Sequence, residues 1–411
     1  MAKVLLVGTL DSKVEAVSLL ARKLGEAGLA VAVVDLSGSR AKLARVRKVP
    51  IIRLARSRAR KSRQVALREM ALAAESAAEG ILANVRPDIV VLVGGSAGAS
   101  LGMPFLLSAP FRARKFVVTT IPRISLGQLP SDVCVIPSHV DLEGMNGALA
   151  EALRVAAAQV AAAASVRPET TRKQVVAITQ LGVTTRCARG LRVRLEGLGV
   201  EVVSFHAVAD GASALPSLVE ERQIWAVVDL TLSDMTTDRI VRRSGSGWGR
   251  LRRVIQAGVP LVVVPGAVNS VIFEGRASVP VRFRRRRFLW PVPGIAVMRL
   301  SRRESVRIGR ELAMVLSMAR RRVLVVVPEK GLSESDRAGG ERARRWDGTL
   351  AGMWYDAHAN RALVRSLQRH SRRDVVDIVA ARQHINDEDF VETLATACRS
   401  YLGLPRNAEA R

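Results

Sequence analysis

The sequence predicts an α/β protein built from two doubly wound, mainly parallel sheet domains, and three observations carry that prediction. Short runs that are apolar at nearly every position alternate with amphipathic stretches along the chain, as strands separated by helices do. The core palette is aliphatic: 48% of the 411 residues are hydrophobic and only 4% aromatic, which suits strands buried on both faces of a parallel sheet. The alternation pauses at a polar, Pro-containing stretch, residues 165–172, and then restarts, so each half has its own sheet.

In the first half the apolar runs place strands at 3–7, 30–35, 89–93, 115–120 and 133–136, with helices at 14–27, 64–85 and 143–164. The last helix is Ala-rich and leads into Ser165-Val166-Arg167-Pro168-Glu169-Thr170-Thr171-Arg172, a linker by composition, which sets domains at 1–168 and 173–405. The second half places strands at 175–179, 200–206, 225–230, 260–264, 294–298, 323–327 and 375–380, and helices at 184–198, 212–221, 303–320 and 387–402. Three segments break the rhythm. Residues 40–63 and 279–288, the latter holding Arg282 and Arg284 to Arg287 in a run, are the best sites for a polyanion contact, against the alternative of solvated loops or ion-pair surfaces. Residues 329–347 read as a charged, mobile excursion.

Lys and Arg total 64 against 37 Asp and Glu, a formal charge of +27, and only nine of the 64 are Lys. Such a field attracts polyanions. The excess is spread over most helices, however, whereas dedicated nucleic-acid binders concentrate it on one face, so a compositional or thermal origin is preferred to a nucleic-acid partner. Cys134, Cys187 and Cys398 are odd in number and fit no metal spacing, which argues for a reducing compartment. The start lacks the pattern of a secretory signal. No apolar run is read as reaching the ~18–20 residues that span a bilayer, so the expected location is cytoplasmic, with no membrane partner.

In doubly wound sheets ligands bind beyond the carboxyl ends of the strands, and five groups of residues fall there. Gly8, Thr9, Leu10, Asp11, Ser12 and Lys13 follow a buried strand and open a helix, with Asp11 or Ser12 suited to the N-cap and Lys13 to the first turn. Free N–H groups, the helix dipole and one ammonium favour phosphate, although ordinary helices start in the same way. Gly94, Gly95, Ser96, Gly98 and Ser100 form a second small-residue loop whose backbone can approach a phosphate chain. In the second half Thr184 and Thr185 can cap a helix, and Cys187 beside Arg186 near a helix start is a candidate for a lowered thiol pKa, against the alternative of a buried packing residue. His206, Asp229, Thr231, Gly266 and Asn269 end successive strands and are expected to face one cleft. Near the C-terminus His384 precedes Asn386 and Asp387, either of which can cap the following helix. No triad, metal cluster or paired-carboxylate motif is recognisable.

Taken in order, these loops resemble the UPF0261 family, the Tm-1-like ATP-binding domain proteins, over nearly the whole chain. The family's Gly-Thr-Leu-Asp-Thr-Lys looks like Gly8-Thr9-Leu10-Asp11-Ser12-Lys13, its glycine loop like residues 94–100, and its Pro-Ser-Val-Val-Asp segment like Pro137-Ser138-His139-Val140-Asp141. Phe205-His206-Ala207, Asp229-Leu230-Thr231, Pro265-Gly266-Ala267 and His384-Ile385-Asn386-Asp387 match in the second half. The resemblance implies two Rossmann-like domains, ATP as cofactor with or without Mg2+, a homodimer, and a nucleotide held by Thr9, Asp11, Ser12, Lys13 and the loop 94–100. Ala97 and Ala99 stand where the family tends to have Gly and Thr, which removes a hydroxyl.

The leading expectation is thus an ATP-binding protein whose inter-domain cleft takes a small acidic ligand or none. The alternative is an enzyme acting on a small carboxylate or acyl substrate, with Cys187, His206 and His384 as nucleophile or acid–base groups. A basic nucleic-acid-associated protein is the third.

Overall fold

The computed structural model describes residues 1–37, 49–54, 63–121, 132–167, 171–241 and 246–405. The chain divides into two compact units, Met1–Thr170 and Thr171–Arg411.

The first unit starts with β1 (Lys3–Gly8), whose Val4, Leu5, Leu6 and Val7 are all fully buried. Such a run has no solvent face, so it sits centrally. It continues with α1 (Val14–Glu26), β2 (Ala30–Asp35), β3 (Ile51–Arg53), α2 (Arg63–Val85), β4 (Ile89–Val93), α3 (Ser96–Leu107), β5 (Arg114–Thr119), β6 (Val133–Pro137) and α4 (Gly147–Ser165). The six strands form one parallel sheet in the order β3-β2-β1-β4-β5-β6. Helices α1 and α4 cover one face with Leu20, Leu24, Leu149 and Leu153, and α2 and α3 cover the other with Ala74, Ala78, Leu101 and Phe105. The chain leaves β1 towards one edge and returns at β4 towards the other, so the loops after these neighbours diverge. A crevice opens at that reversal.

Two elements here were not expected. β3 lies within the segment 40–63, most of which falls outside the described residues, and α3 takes over most of the expected glycine loop. The bilayer expectation also needs amending: α4 is long and apolar enough to cross a membrane by length and composition. Glu151 and Arg154 hid this from a count of uninterrupted apolar residues. Its Leu149, Leu153, Ala156, Ala157 and Val160 are buried against the sheet, which is how a core helix packs.

The second unit comprises β7 (Val175–Gln180), α5 (Thr185–Glu196), β8 (Glu201–His206), α6 (Ala209–Glu220), β9 (Ala226–Thr231), α7 (Ser233–Val241), α8 (Ser246–Ala257) and β10 (Leu261–Gly266). Then come β11 (Ser270–Glu274), β12 (Phe288–Val292), β13 (Ile295–Arg299), α9 (Arg302–Leu316), β14 (Val323–Pro328), β15 (Arg342–Arg344), β16 (Leu350–Met353), α10 (Ala357–His370), β17 (Val376–Ala381) and α11 (Glu388–Leu402). A parallel sheet runs β17-β14-β10-β9-β7-β8, and a separate antiparallel sheet runs β11-β13-β12-β15-β16. Both sheets share one apolar cluster, in which Phe273, Phe288 and Met298 meet Val263, Val325 and Leu312.

The antiparallel sheet corrects two expectations and narrows a third. The run 294–298 belongs to it as β13, because a five-residue apolar run does not reveal which sheet it joins. Residues 329–347 are not a mobile excursion: Leu332, Ser333, Asp336 and Ala343 are buried and the segment carries β15. The Arg run is partly committed within the unit. Arg286 pairs with Glu304 and Arg287 with Asp356, each at 2.6 Å, while Arg282 lies 4.5 Å from the Phe283 ring centroid and Arg284 4.1 Å from that of Trp346. Arg282 and Arg285 stay exposed, so any polyanion contact here falls to part of the run.

Candidate functional site at the β1–β4 crevice

Gly8 ends β1 level with Val93 at the end of β4. Beyond Gly8 the chain makes one turn, closed by Lys13 N donating to Thr9 O at 3.0 Å. The turn is held from β2 by the buried Asp35. Its Oδ1 accepts from Leu10 N at 3.0 Å, Ser37 N at 3.0 Å and Ser37 Oγ at 2.6 Å, and Ser37 Oγ in turn accepts from Asp11 N at 3.2 Å. Asp35 escaped the sequence reading. Its signal was a carboxylate closing an apolar strand next to the one that carries the loop.

Neither Asp11 nor Ser12 caps α1. Lys13 holds the N-cap position without a side-chain cap, and Asp11 Oδ1 instead accepts from Ser12 Oγ at 3.2 Å. Thr9 Oγ1 lies 3.5 Å from Ser12 Oγ. Opposite, β4 is followed by Gly94, where a Cβ would stand 2.9 Å from Ala99 N, so only glycine permits the turn. Helix α3 begins at Ser96, with Gly95 as an N-cap that has no side chain to give. The expected glycine loop is therefore two residues long, and Ser96, Gly98 and Ser100 are helical. Ser100 Oγ donates to Ser96 O at 2.9 Å and is spent inside the helix. Ala99 is buried in the core, so the hydroxyl missing there lies on the sheet side of α3. Gly98 faces the first loop: a Cβ on it would stand 3.9 Å from Thr9 Oγ1.

Two helix N-termini without side-chain caps thus adjoin at the crevice, where their dipoles add. The nearby cation is not free, because Lys13 Nζ lies 3.2 Å from Asp141 Oδ1 and 3.7 Å from Glu143 Oε2. The ammonium holds the Asp141 carboxyl below the usual carboxylate range. Met145 N donates to Glu15 Oε2 at 3.0 Å, which ties the loop carrying these acids to α1.

In the second unit the expected cleft residues gather at the ends of β7, β9 and β10, but they bond to one another. Thr179 Oγ1 donates to Asp229 Oδ1 at 2.7 Å, and Thr184 Oγ1 and Thr231 Oγ1 are 2.8 Å apart. Arg250, wholly buried, reaches Asp229 at 2.7 Å and Asp234 at 2.9 Å. It comes from α8, a helix the sequence reading did not place. Asn269 Nδ2 donates to Asp336 at 2.7 Å, Thr185 Oγ1 donates to Leu181 O at 2.9 Å, and a Cβ on Gly266 would stand 2.2 Å from Leu230 O. Thr184, Asp229, Thr231 and Asn269 are buried and line no open cleft.

The acid–base candidates fare similarly. His384 is buried; its Nε2 donates to Ser333 O at 2.9 Å, and its Nδ1 accepts from Arg337 at 2.9 Å and Asn386 N at 3.2 Å. Both ring nitrogens are committed, and burial lowers its pKa, so the ring is neutral. Asn386 accepts from Cys187 N at 3.2 Å and donates to Val183 O at 3.0 Å, while Asp387 takes Arg337 at 2.8 Å and His384 N at 3.0 Å. Burial pushes the Cys187 thiol up to about 12, the reverse of the lowering expected beside Arg186. His206 alone is exposed, at the end of β8. Among the described residues no group of three or more His, Cys, Asp or Glu is placed to hold a metal.

The family model described as the UPF0261 N-terminal domain matches residues 2–169, and that for the UPF0261 C-terminal domain matches 173–402. A UPF0261 protein of Mesorhizobium japonicum is 28% identical over 414 residues, covering 96% of this chain and 98% of that protein. The ToMV resistance protein Tm-1 of Solanum lycopersicum is 28% identical over 320 residues, covering 74% of this chain and 40% of that protein, so the match spans less than half of that relative's length. A solved UDP-N-acetylglucosamine 2-epimerase covers 64% of this chain and 79% of its own at 14% identity and a TM-score of 0.25, too distant a likeness to bring a ligand with it. Matched through both its N-terminal and its C-terminal domain models, the chain belongs to the uncharacterised protein family UPF0261.

Proposed function

We propose that the first unit binds ATP at the β1–β4 crevice, with the polyphosphate between the N-termini of α1 and α3. The observation that carries this is the adjacency of two helix N-termini without side-chain caps at the point where the sheet reverses direction. Backbone N–H groups at such ends favour phosphate over other ligands. Thr9 and Ser12 stand at the same mouth with hydroxyls to offer, and Lys13 meets the phosphate by leaving Asp141 and Glu143. Mg2+ bound with a nucleotide needs only one or two carboxylates besides the phosphate oxygens. The exposed Asp11 and Asp141 fit that requirement without a metal cage built from protein alone.

The test is equilibrium dialysis of radiolabelled ATP against wild type and Lys13→Ala, with and without Mg2+. Saturable binding by wild type that weakens at least tenfold in the variant is expected. Absence of binding by wild type overturns the reading.

A further inference from the structure

We propose that the second unit binds, independently of any nucleotide, a small neutral molecule with an apolar body and a carbonyl oxygen at its head. A cavity of about 490 Å3 lies over the carboxyl ends of its parallel strands. Gly182 beyond β7, His206 at the end of β8, Ser233 beyond β9, Ala267 beyond β10 and Ser333 beyond β14 all line it. The order β17-β14-β10-β9-β7-β8 reverses between β7 and β9, which is where such sheets place their ligands. The buried Asp229–Arg250 network is not part of its lining.

The antiparallel sheet supplies an apolar wall through Leu289, Trp290, Val292, Ile295 and Val297. Val292 and Ile295 are large hydrophobic side chains left exposed. A volume of this size with mainly apolar lining is typical of small-molecule sites.

Three lining residues carry polar atoms without a partner: Trp290 Nε1, on a partly buried ring, which like any indole N–H can only donate, and two on fully buried side chains that fix the chemistry of the head. Ser233 and Trp354 are both buried, at 0% and 1% exposure, yet Ser233 Oγ and Trp354 Nε1 have no hydrogen-bond partner. Buried polar atoms without a partner are few in native proteins and call for an explanation. An indole N–H only donates, so whatever meets Trp354 must accept, as a carbonyl oxygen does, and the Ser233 hydroxyl is a second group of the lining able to donate to such an oxygen. The lining contains Glu341 and neither Lys nor Arg. Glu341 already accepts from Ser335 Oγ at 2.6 Å. A carboxylate ligand would find no Lys or Arg to compensate its desolvation, so the head is a neutral carbonyl.

The experiment titrates the full chain with octanamide and, separately, octanoate by calorimetry, using wild type, Ser233→Ala, Trp354→Phe and the cavity-filling Leu289→Trp. Thermal unfolding confirms that each variant is folded. Expected are saturable octanamide binding by wild type, at least tenfold weaker binding of octanoate, a loss of about three- to tenfold in Ser233→Ala and in Trp354→Phe, and abolition in Leu289→Trp. Ser233→Ala removes one oxygen and keeps the proposal testable if Trp354→Phe does not fold. Lack of octanamide binding by wild type at millimolar concentration overturns the proposal. So does binding that Ser233→Ala leaves unchanged, or octanoate binding more tightly than octanamide.

Discussion

Lys13 Nζ lies 3.2 Å from Asp141 Oδ1, so the cation that a phosphate would meet at the β1–β4 crevice already holds an acidic partner. Asp141 itself is mostly exposed, and its attraction for Lys13 is screened by water. The acid therefore opposes an anionic ligand only weakly. Asp141→Asn should tighten binding of Mg2+-free ATP about two- to fivefold. Weaker Mg2+-free binding in the variant would show that Lys13 is not the group Asp141 restrains.

Asp35 fixes the loop that Lys13 ends. Replacing it with Ala leaves the buried Leu10 N–H without its acceptor and frees Ser37. The expected cost is about 1–3 kcal/mol in unfolding free energy. A lowered thermal midpoint and faster amide exchange at Leu10 are the readouts, and unchanged exchange would mean that the loop does not depend on β2.

Arg250 is the corresponding tie in the second unit. Asp229 and Asp234 hold its guanidinium charged, and all three side chains are buried. Arg250→Met leaves two buried carboxylates uncompensated, which should cost about 3–5 kcal/mol in urea unfolding. The triple variant Arg250→Met, Asp229→Asn, Asp234→Asn removes the stranded charges and should recover part of that loss. A triple variant no more stable than the single one would deny that charge is the cause.

His384 gives the stability a pH dependence of known sign. Burial lowers its folded-state pKa, so below the unfolded value of about 6.5 the unfolded chain binds more protons. The stabilisation is present above that value and is lost as pH falls through the folded pKa. Wild type should weaken on acidification below about pH 6.5, and His384→Gln should flatten that part of the profile. Equal slopes in the two proteins would remove His384 as the titrating group. The ring is also packed against backbone, since at Gly331 a Cβ would stand 2.4 Å from His384 Cδ2.

How far the sequence carried these conclusions depended on length and period. β1, β2 and β4 were legible because runs such as Val4 to Val7 have no polar face to confuse the pattern. β15 and β16 are four residues or fewer and hold Arg or Gly, while β12 is five residues long, follows the Arg run directly and contains Pro291, so all three read as loop. α7 and α8 went unread as well, and with them Asp234 and Arg250. The crevice residues Gly8 to Lys13 could be found since a strand end and a helix start are local features. Asp35 and Trp354 could not: what makes each of them matter is a partner, or the lack of one, far away in sequence.

The three cysteines separate by reactivity in a way that tests the second unit's core. Cys187 packs within α5 against Phe390 and Leu394 of α11, and Cys398 lies in the same cluster. Burial raises both thiols well above their ordinary values, Cys187 to about 12. Only the thiolate attacks an alkylating agent, so at pH 8 neither should react in the folded protein. Cys134 is exposed on β6, an edge strand. Iodoacetamide should therefore label one cysteine natively, Cys134, and three in denaturant, as mass spectrometry of the peptides would show. Native labelling of Cys187 at a rate near that of Cys134 would mean that α5 and α11 part often enough to expose it. A nucleophilic role for that thiol would then be open again, at a position where the packed structure gives it none.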